Sequence, residues 1–140
     1  MAGMYDKILV PTDGSDRSEK ALEMAETVAS THGAEVHVLN VIDQRNDSLN
    51  GISPPAVDQL EQSRAELVEG AEEELEEEGL EAEAEVVHGV PHEEVEDYVE
   101  EHDVDGIIMG STGKTGMNNL LIGSTADKVV RVASVPVTVV

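Results

Sequence analysis

Five short apolar runs alternate with four segments of helical period, and that alternation constrains the fold of this chain more than any single motif. Lys7-Ile8-Leu9-Val10 is the first run, ending in the turn Pro11-Thr12-Asp13-Gly14-Ser15. Ala21, Leu22, Ala25, Val28 and Ala29 then recur at helical spacing until Gly33 offers a C-cap. Glu35–Val41 is the second strand. Residues 42–55 are polar and turn-rich, a connector or a cover over a site. Leu60, Leu67, Val68, Ala71 and Leu75 mark one face of a helix over 56–78, with the glutamate runs on its solvated side, and Gly79 ends it. Glu81–Val87 alternates charge and small apolar residues, as a strand at a sheet edge does. Pro91 opens a short helix through Val95, Tyr98 and Val99. Asp105–Gly110 reads as the fourth strand, Ala126–Val132 as a helix and Val135–Val140 as the fifth strand.

A β-α-β-α-β-α-β-α-β order implies an α/β fold: a parallel sheet with helices on both faces, where ligands bind beyond the carboxyl ends of the strands. At 140 residues the chain reads as one domain, 1–140, without repeats. Two such strand ends carry glycine: Thr12-Asp13-Gly14, and Gly110-Ser111-Thr112-Gly113, the latter followed by a second cluster, Gly123-Ser124-Thr125. Gly110 and Gly113 would let backbone amides approach a ligand without a Cβ in the way. Ser124 or Thr125 would cap the helix 126–132 beside further amides. One glycine pair after a strand reads most simply as a turn. Two clusters, one at a helix start, suit a polyphosphate.

Stricter phosphate motifs fail. A P-loop requires glycine five positions before Gly113-Lys114-Thr115, where the chain has Ile108. The dinucleotide fingerprint belongs early in a βαβ unit, whereas Gly110, Gly113 and Gly116 repeat every third residue late in the chain.

Charge is unevenly distributed. The chain carries −23, from 31 acidic against 8 basic residues, with two tyrosines and neither Phe nor Trp. Apolar periodicity persists between the acids, which supports a folded domain in an acidic shell rather than a disordered chain. Such a shell repels itself unless salt screens it, and suits a salt-rich cytoplasm; a binder of cations or basic proteins is the rival reading. From Gly106 to Val140 the one acid, Asp127, faces Lys114, Lys128 and Arg131, so the glycine segment is locally basic. That sparing is what an anionic ligand requires. Nucleic acid is disfavoured, with no basic stripe and no aromatic platform. The absence of cysteine excludes thiol catalysis and disulfides. His32, His37, His88, His92 and His102 lack metal-ligand spacing and read as structural or surface residues. With no apolar leader and no apolar run near bilayer length, the sequence reads as soluble and cytoplasmic, without membrane association.

Ile8–Ser15, Asp105–Ser111, the spacing G-x2-G-x9-G-[ST] at Gly110, Gly113, Gly123 and Ser124, and Ser134–Val137 together resemble the universal stress protein family, over nearly the whole chain. The resemblance implies strand order 3-2-1-4-5 and a homodimer joined through the last strand, here 135–140. The glycine pattern is that of the family's ATP-binding subgroup. Carried onto this sequence, Asp13 would meet the nucleoside near its ribose, with Pro11 and Thr12 lining the pocket. Val41 would flank adenine, and Met109 and Gly110 would lie under the nucleoside. Gly113 and its neighbours, with Gly123, Ser124 and Thr125, would hold the phosphates, and Lys114 would face the phosphates or solvent. AMP is a second candidate ligand, and Mg or Mn would be held mainly by phosphate oxygens. Asp13 has a structural alternative, buttressing the turn into the first helix.

The leading functional expectation is a nucleotide-holding stress-response or regulatory module without fast turnover, since no general base accompanies the glycine segments. Slow ATP hydrolysis, or autophosphorylation at Ser111 or Thr112, is the enzymatic alternative. A ligand-free dimeric adaptor is another. A flavodoxin-like or receiver-like module is disfavoured, because acids do not pair at the first strand end and no Trp or Phe could stack a flavin. The sequence names neither a stress signal nor a protein partner.

Overall fold

The computed structural model describes residues 5–43, 53–112 and 122–140. In chain order the elements are β1 (Lys7–Pro11), α1 (Asp16–His32), β2 (Glu35–Ile42), α2 (Pro54–Glu77), β3 (Ala82–His88), α3 (Pro91–His102), β4 (Gly106–Met109), α4 (Ser124–Val132) and β5 (Val137–Val139). The five strands form one parallel sheet in the order β3-β2-β1-β4-β5. β1 lies at its centre, with Leu9 opposite both His37 of β2 and Ile107 of β4.

Local chemistry sets the element boundaries. Ser15 caps α1, its Oγ accepting from the Ser18 amide, and Gly33 closes the helix in the left-handed region at φ 70°. α2 and α3 each begin at proline, which lacks the amide that a first turn leaves unpaired. β5 is shorter than the expected 135–140. Pro136 cannot donate to a ladder, so it only accepts, from the Ile107 amide, and strand geometry begins at Val137.

Alternation on the strands builds two apolar layers. Ile8, Val10, Val36, Val38 and Ile108 face α1 and α2, meeting Ala21, Ala25, Val68 and Leu75. Leu9, Leu39, Ile107 and Met109 face α3 and α4, meeting Val95, Val99, Ala126 and Val129. β3 is an edge strand, as its alternation implies: Ala82, Ala84 and Val86 pack inward while Glu83 and Glu85 are exposed.

Two of the scattered histidines meet one tyrosine in the second layer. His37, 2% exposed, holds the Tyr98 hydroxyl at 2.6 Å through Nδ1, and Tyr98 stacks on His102 with ring centroids 3.8 Å apart. Burial, followed by the charges of Glu85, Glu83 and Glu35, pushes the Tyr98 phenol above its usual range. The hydroxyl therefore stays protonated. Among the described residues no helix is long and apolar enough to cross a membrane.

The acids on α2 repel one another. Partial burial, with Glu76, Glu69, Glu83 and Glu73 nearby, raises the Glu72 carboxyl above its ordinary 4.5. Folded Glu72 thus holds its proton more tightly than the unfolded chain does, and that stabilisation is lost as pH rises through the raised pKa. Glu72→Gln is expected to raise the melting temperature at neutral pH and low salt, with the gain vanishing below the ordinary carboxylate range. Replacing Glu72, Glu73, Glu76 and Glu77 together by Gln should flatten the rise of melting temperature with KCl. Thermal scans between low and molar KCl check both, and an unchanged salt slope would exclude charge repulsion as its cause.

Candidate functional site

Because β1 lies between β2 and β4, the chain leaves it toward α1 on one face and leaves β4 toward α4 on the other. Parting connections of this kind open a crevice at the carboxyl edge of the sheet. A cleft of about 420 Å³ occupies that place, within the common range for small-molecule sites. Pro11, Thr12 and Asp13 line it from the end of β1, and Asn40, Val41 and Asp43 from the end of β2. Met109, Gly110, Ser111 and Thr112 line it from β4. Gly123, Ser124 and Thr125 close it at the start of α4, and Pro91 and Val95 of α3 complete that wall. All the expected site residues that fall within the described segments thus line one cleft; Gly113 and Lys114 lie outside those segments.

The turn after β1 is tightly held. Thr12, 5% exposed, donates its amide to Leu39 O and its Oγ1 to Ser18 Oγ, accepts from Gly14 N on Oγ1, and accepts Asn40 Nδ2 on its carbonyl at 2.7 Å. Asp13 accepts the Ser15 amide at 2.9 Å, so it does buttress the turn into α1 while also lining the cleft.

Two expectations about the glycine clusters need correction. Helix α4 begins at Ser124, not Ala126, and its N-cap is Gly123, with no side-chain capping bond. Ser124 and Thr125 therefore do not cap it, because their own backbone is already helical; their amides belong to the first turn, whose N–H groups lack intrahelical partners. Gly110 is demanded from the other side. A Cβ there would lie 2.8 Å from Arg17 Cβ and 2.9 Å from the Arg17 carbonyl carbon, so the close approach is to the backbone of α1 rather than to a ligand alone. Ser111 ties the two clusters together by accepting the Gly123 amide on its carbonyl while its own amide donates to Val140 O.

Several lining residues escaped sequence reading, Asn40, Asp43 and Arg64 among them. Arg64 sits four residues before Val68 and seven before Ala71, on the core-facing stripe of α2, and its Nη1 donates to Asn40 Oδ1 at 3.0 Å. A charge interrupting an apolar stripe at helical spacing was the available signal. Among the described residues no group of three or more His, Asp or Glu side chains is placed to hold a metal ion.

Residues 4–140 match the Universal stress protein family. The chain belongs to that family. It is 37% identical to Universal stress protein MJ0531 of Methanocaldococcus jannaschii, over 98% of this chain and 82% of that one. To Universal stress protein MJ0577 of the same organism it is 34% identical, over 100% and 97%. The solved structure of MJ0577 superposes with a TM-score of 0.87, covering 99% of this chain and 96% of that one. The same fold recurs at lower identity in a universal stress protein in complex with cAMP, 22% identical with TM-score 0.70 over 97% and 96% of the two chains. It recurs again in one from Archaeoglobus fulgidus in complex with dAMP, 23% identical with TM-score 0.69 over 98% of each chain.

The packing of Gly110 generates a direct expectation. Gly110→Ala forces the start of α1 away from β4 and should destabilise the fold by about 1–3 kcal/mol, as overpacking of a filled site does. Urea unfolding followed by circular dichroism measures it; unchanged stability would mean that α1 yields without cost.

Proposed function

We propose that the cleft binds an adenine nucleotide, ATP foremost with AMP as the second candidate, and that the protein acts as a nucleotide-holding stress-response or regulatory module of the cytoplasm. The observation that carries this reading is the first turn of α4, Gly123 to Ala126, opening into the same cleft as Asp13 and Val41. Unpaired amides at a helix start favour a phosphate, and the carboxylate and apolar strand ends favour a nucleoside. Complexes of related folds with cAMP and dAMP support the same ligand class. In this reading Asp13 meets the ribose, Val41 flanks adenine, and Met109 with Gly110 underlies the nucleoside. Gly113, Lys114, Gly123, Ser124 and Thr125 attend the phosphates, whose oxygens hold an accompanying Mg or Mn.

Asp13 and Asp43 are the acids that line the cleft. One oxygen of Asp13 accepts the Ser15 amide, so part of that carboxylate's acceptor capacity is committed to the turn. Ser111 and Thr112 line the cleft and are the candidate acceptors if the bound phosphate is ever transferred.

We also infer a homodimer through strand 135–140. β5 is the sheet's second edge, and beside it Val130 and Val132 of α4 are 48% and 49% exposed, an apolar border that pairing with a second copy would cover. The acidic shell is read as an adaptation to a salt-rich cytoplasm.

Titration calorimetry with MgATP in high salt tests the ligand. Gly113→Val is expected to abolish binding by placing a branched side chain among the phosphate-facing amides. Ser124→Ala should cost about 1 kcal/mol, through a lost hydroxyl contact alone, since Ser124 is not the cap. Binding that survives Gly113→Val unchanged would make the glycines a mere turn and this assignment wrong. Light scattering should report a dimer in high salt and a monomer after removal of Val137–Val140; a dimer that persists would move the interface elsewhere.

A further inference from the structure

Asn40 and Arg64 form a polar pair at the end of the cleft farthest from α4. Asn40 is 1% exposed and both ends of its amide are engaged: Nδ2 donates to Thr12 O at 2.7 Å, and Oδ1 accepts Arg64 Nη1 at 3.0 Å. A buried amide so anchored fixes the guanidinium that it holds. Arg64 is also the one arginine or lysine among the described residues that line the cleft.

Position decides what that guanidinium can meet. Asn40 directly precedes Val41 on β2, while Gly123, Ser124 and Thr125 follow β4, and β1 lies between those two strands. Neighbouring strands lie about 4.8 Å apart, so roughly 10 Å of cleft separates the two ends. Phosphates drawn to the α4 amides leave the opposite end of a nucleotide beside Asn40. The neighbouring acid points the same way. Asp43, 4% exposed, lines the cleft at the β2 end together with Arg64, and the two opposite charges offset each other there, so that end offers phosphate no net attraction.

We propose that Arg64 is a base-contacting residue of this cleft, presenting its planar guanidinium to the purine ring at the β2 end. This rests on reading the cleft as a nucleotide site, and it adds a side chain of α2 to a site otherwise built from strand ends and α4. A guanidinium binds a flat heteroaromatic ring by stacking and by cation–π attraction, which an ammonium on a flexible stem reproduces poorly. Asn40 is then a positioning residue, since it acts through Arg64.

The test titrates ATP, ADP and AMP into the wild-type protein and into Arg64→Met and Arg64→Lys, at two KCl concentrations. A base contact is common to all three nucleotides. Arg64→Met should therefore weaken each by the same factor, about tenfold, and Arg64→Lys by roughly threefold, with ratios that do not change with salt. A loss that grows from AMP to ATP and shrinks in high salt would place Arg64 on the phosphates and overturn the proposal. Arg64→Lys and Arg64→Met that both bind like wild type would overturn it too, leaving Arg64 a structural partner of Asn40. Arg64→Lys keeps a donor for Asn40 Oδ1, and thermal melts of each variant separate lost binding from lost folding. Failure of the wild-type protein to bind any of the three would instead sink the nucleotide reading itself, and the proposal with it.

Discussion

Thr12 holds the exit of the central strand, and the cleft depends on that exit. Its amide continues the β1–β2 ladder, its carbonyl is taken by Asn40, and its hydroxyl bridges Ser18 of α1 and the Gly14 amide. A residue with every polar group engaged in a buried setting has no low-cost alternative conformation, because any rotation leaves a donor or acceptor unpaired. The turn that follows is thereby aimed. Asp13, one residue on, receives its orientation from this knot together with the Ser15 amide, and α1 starts where the cap at Ser15 places it.

Much of this arrangement was legible in the sequence, for a definable reason. The period of the apolar residues gives strand or helix, and short alternating units leave a parallel sheet as the economical topology. The alternation Glu81-Ala82-Glu83-Ala84-Glu85 identified β3 as an edge because, in a parallel sheet with helices on both faces, only the outermost strands escape cover on one side. Residues at strand ends and at a helix start became accessible once the family resemblance supplied the strand order, since that order gathers them. Side-chain partnerships across the sheet were not legible. Arg64 and Asn40 lie 24 residues apart on different elements, and the meeting of His37, Tyr98 and His102 depends on how α3 rotates onto β2. Periodicity places a residue on a face; it does not say which neighbour it finds there.

The two corrections at the glycine clusters have one physical origin. A sequence reading assigns glycine and serine to a ligand because the ligand is the interesting neighbour, whereas a fold can make the same demand. Gly110 is small because α1 crosses close to the end of β4, with Arg17 where a Cβ would stand. Gly123 takes the capping place because the cap needs extended backbone, φ −69° and ψ 160°, after which Ser124 is already helical. Both residues still line the cleft. The packing constraint and the lining of the cleft coincide, so substitutions there disturb both at once.

That coincidence separates the two ends of the cleft. At the α4 end the lining includes two glycines and a first helical turn, with the Ser111 carbonyl taking the Gly123 amide. The backbone part of that surface is fixed by the fold and changes only if the chain moves, while the hydroxyls of Ser124 and Thr125 can be removed singly. At the β2 end the lining is side chains, Asn40, Asp43 and Arg64, carried on a strand and a helix whose backbones are held by apolar packing elsewhere, at Val38, Val68 and Leu75. Arg64 can be exchanged without displacing the helix that bears it, whereas Asn40 also holds the Thr12 carbonyl and so belongs to the knot at the end of β1. A substitution at Arg64 therefore alters the side-chain chemistry of one end of the cleft and leaves the backbone of the other in place.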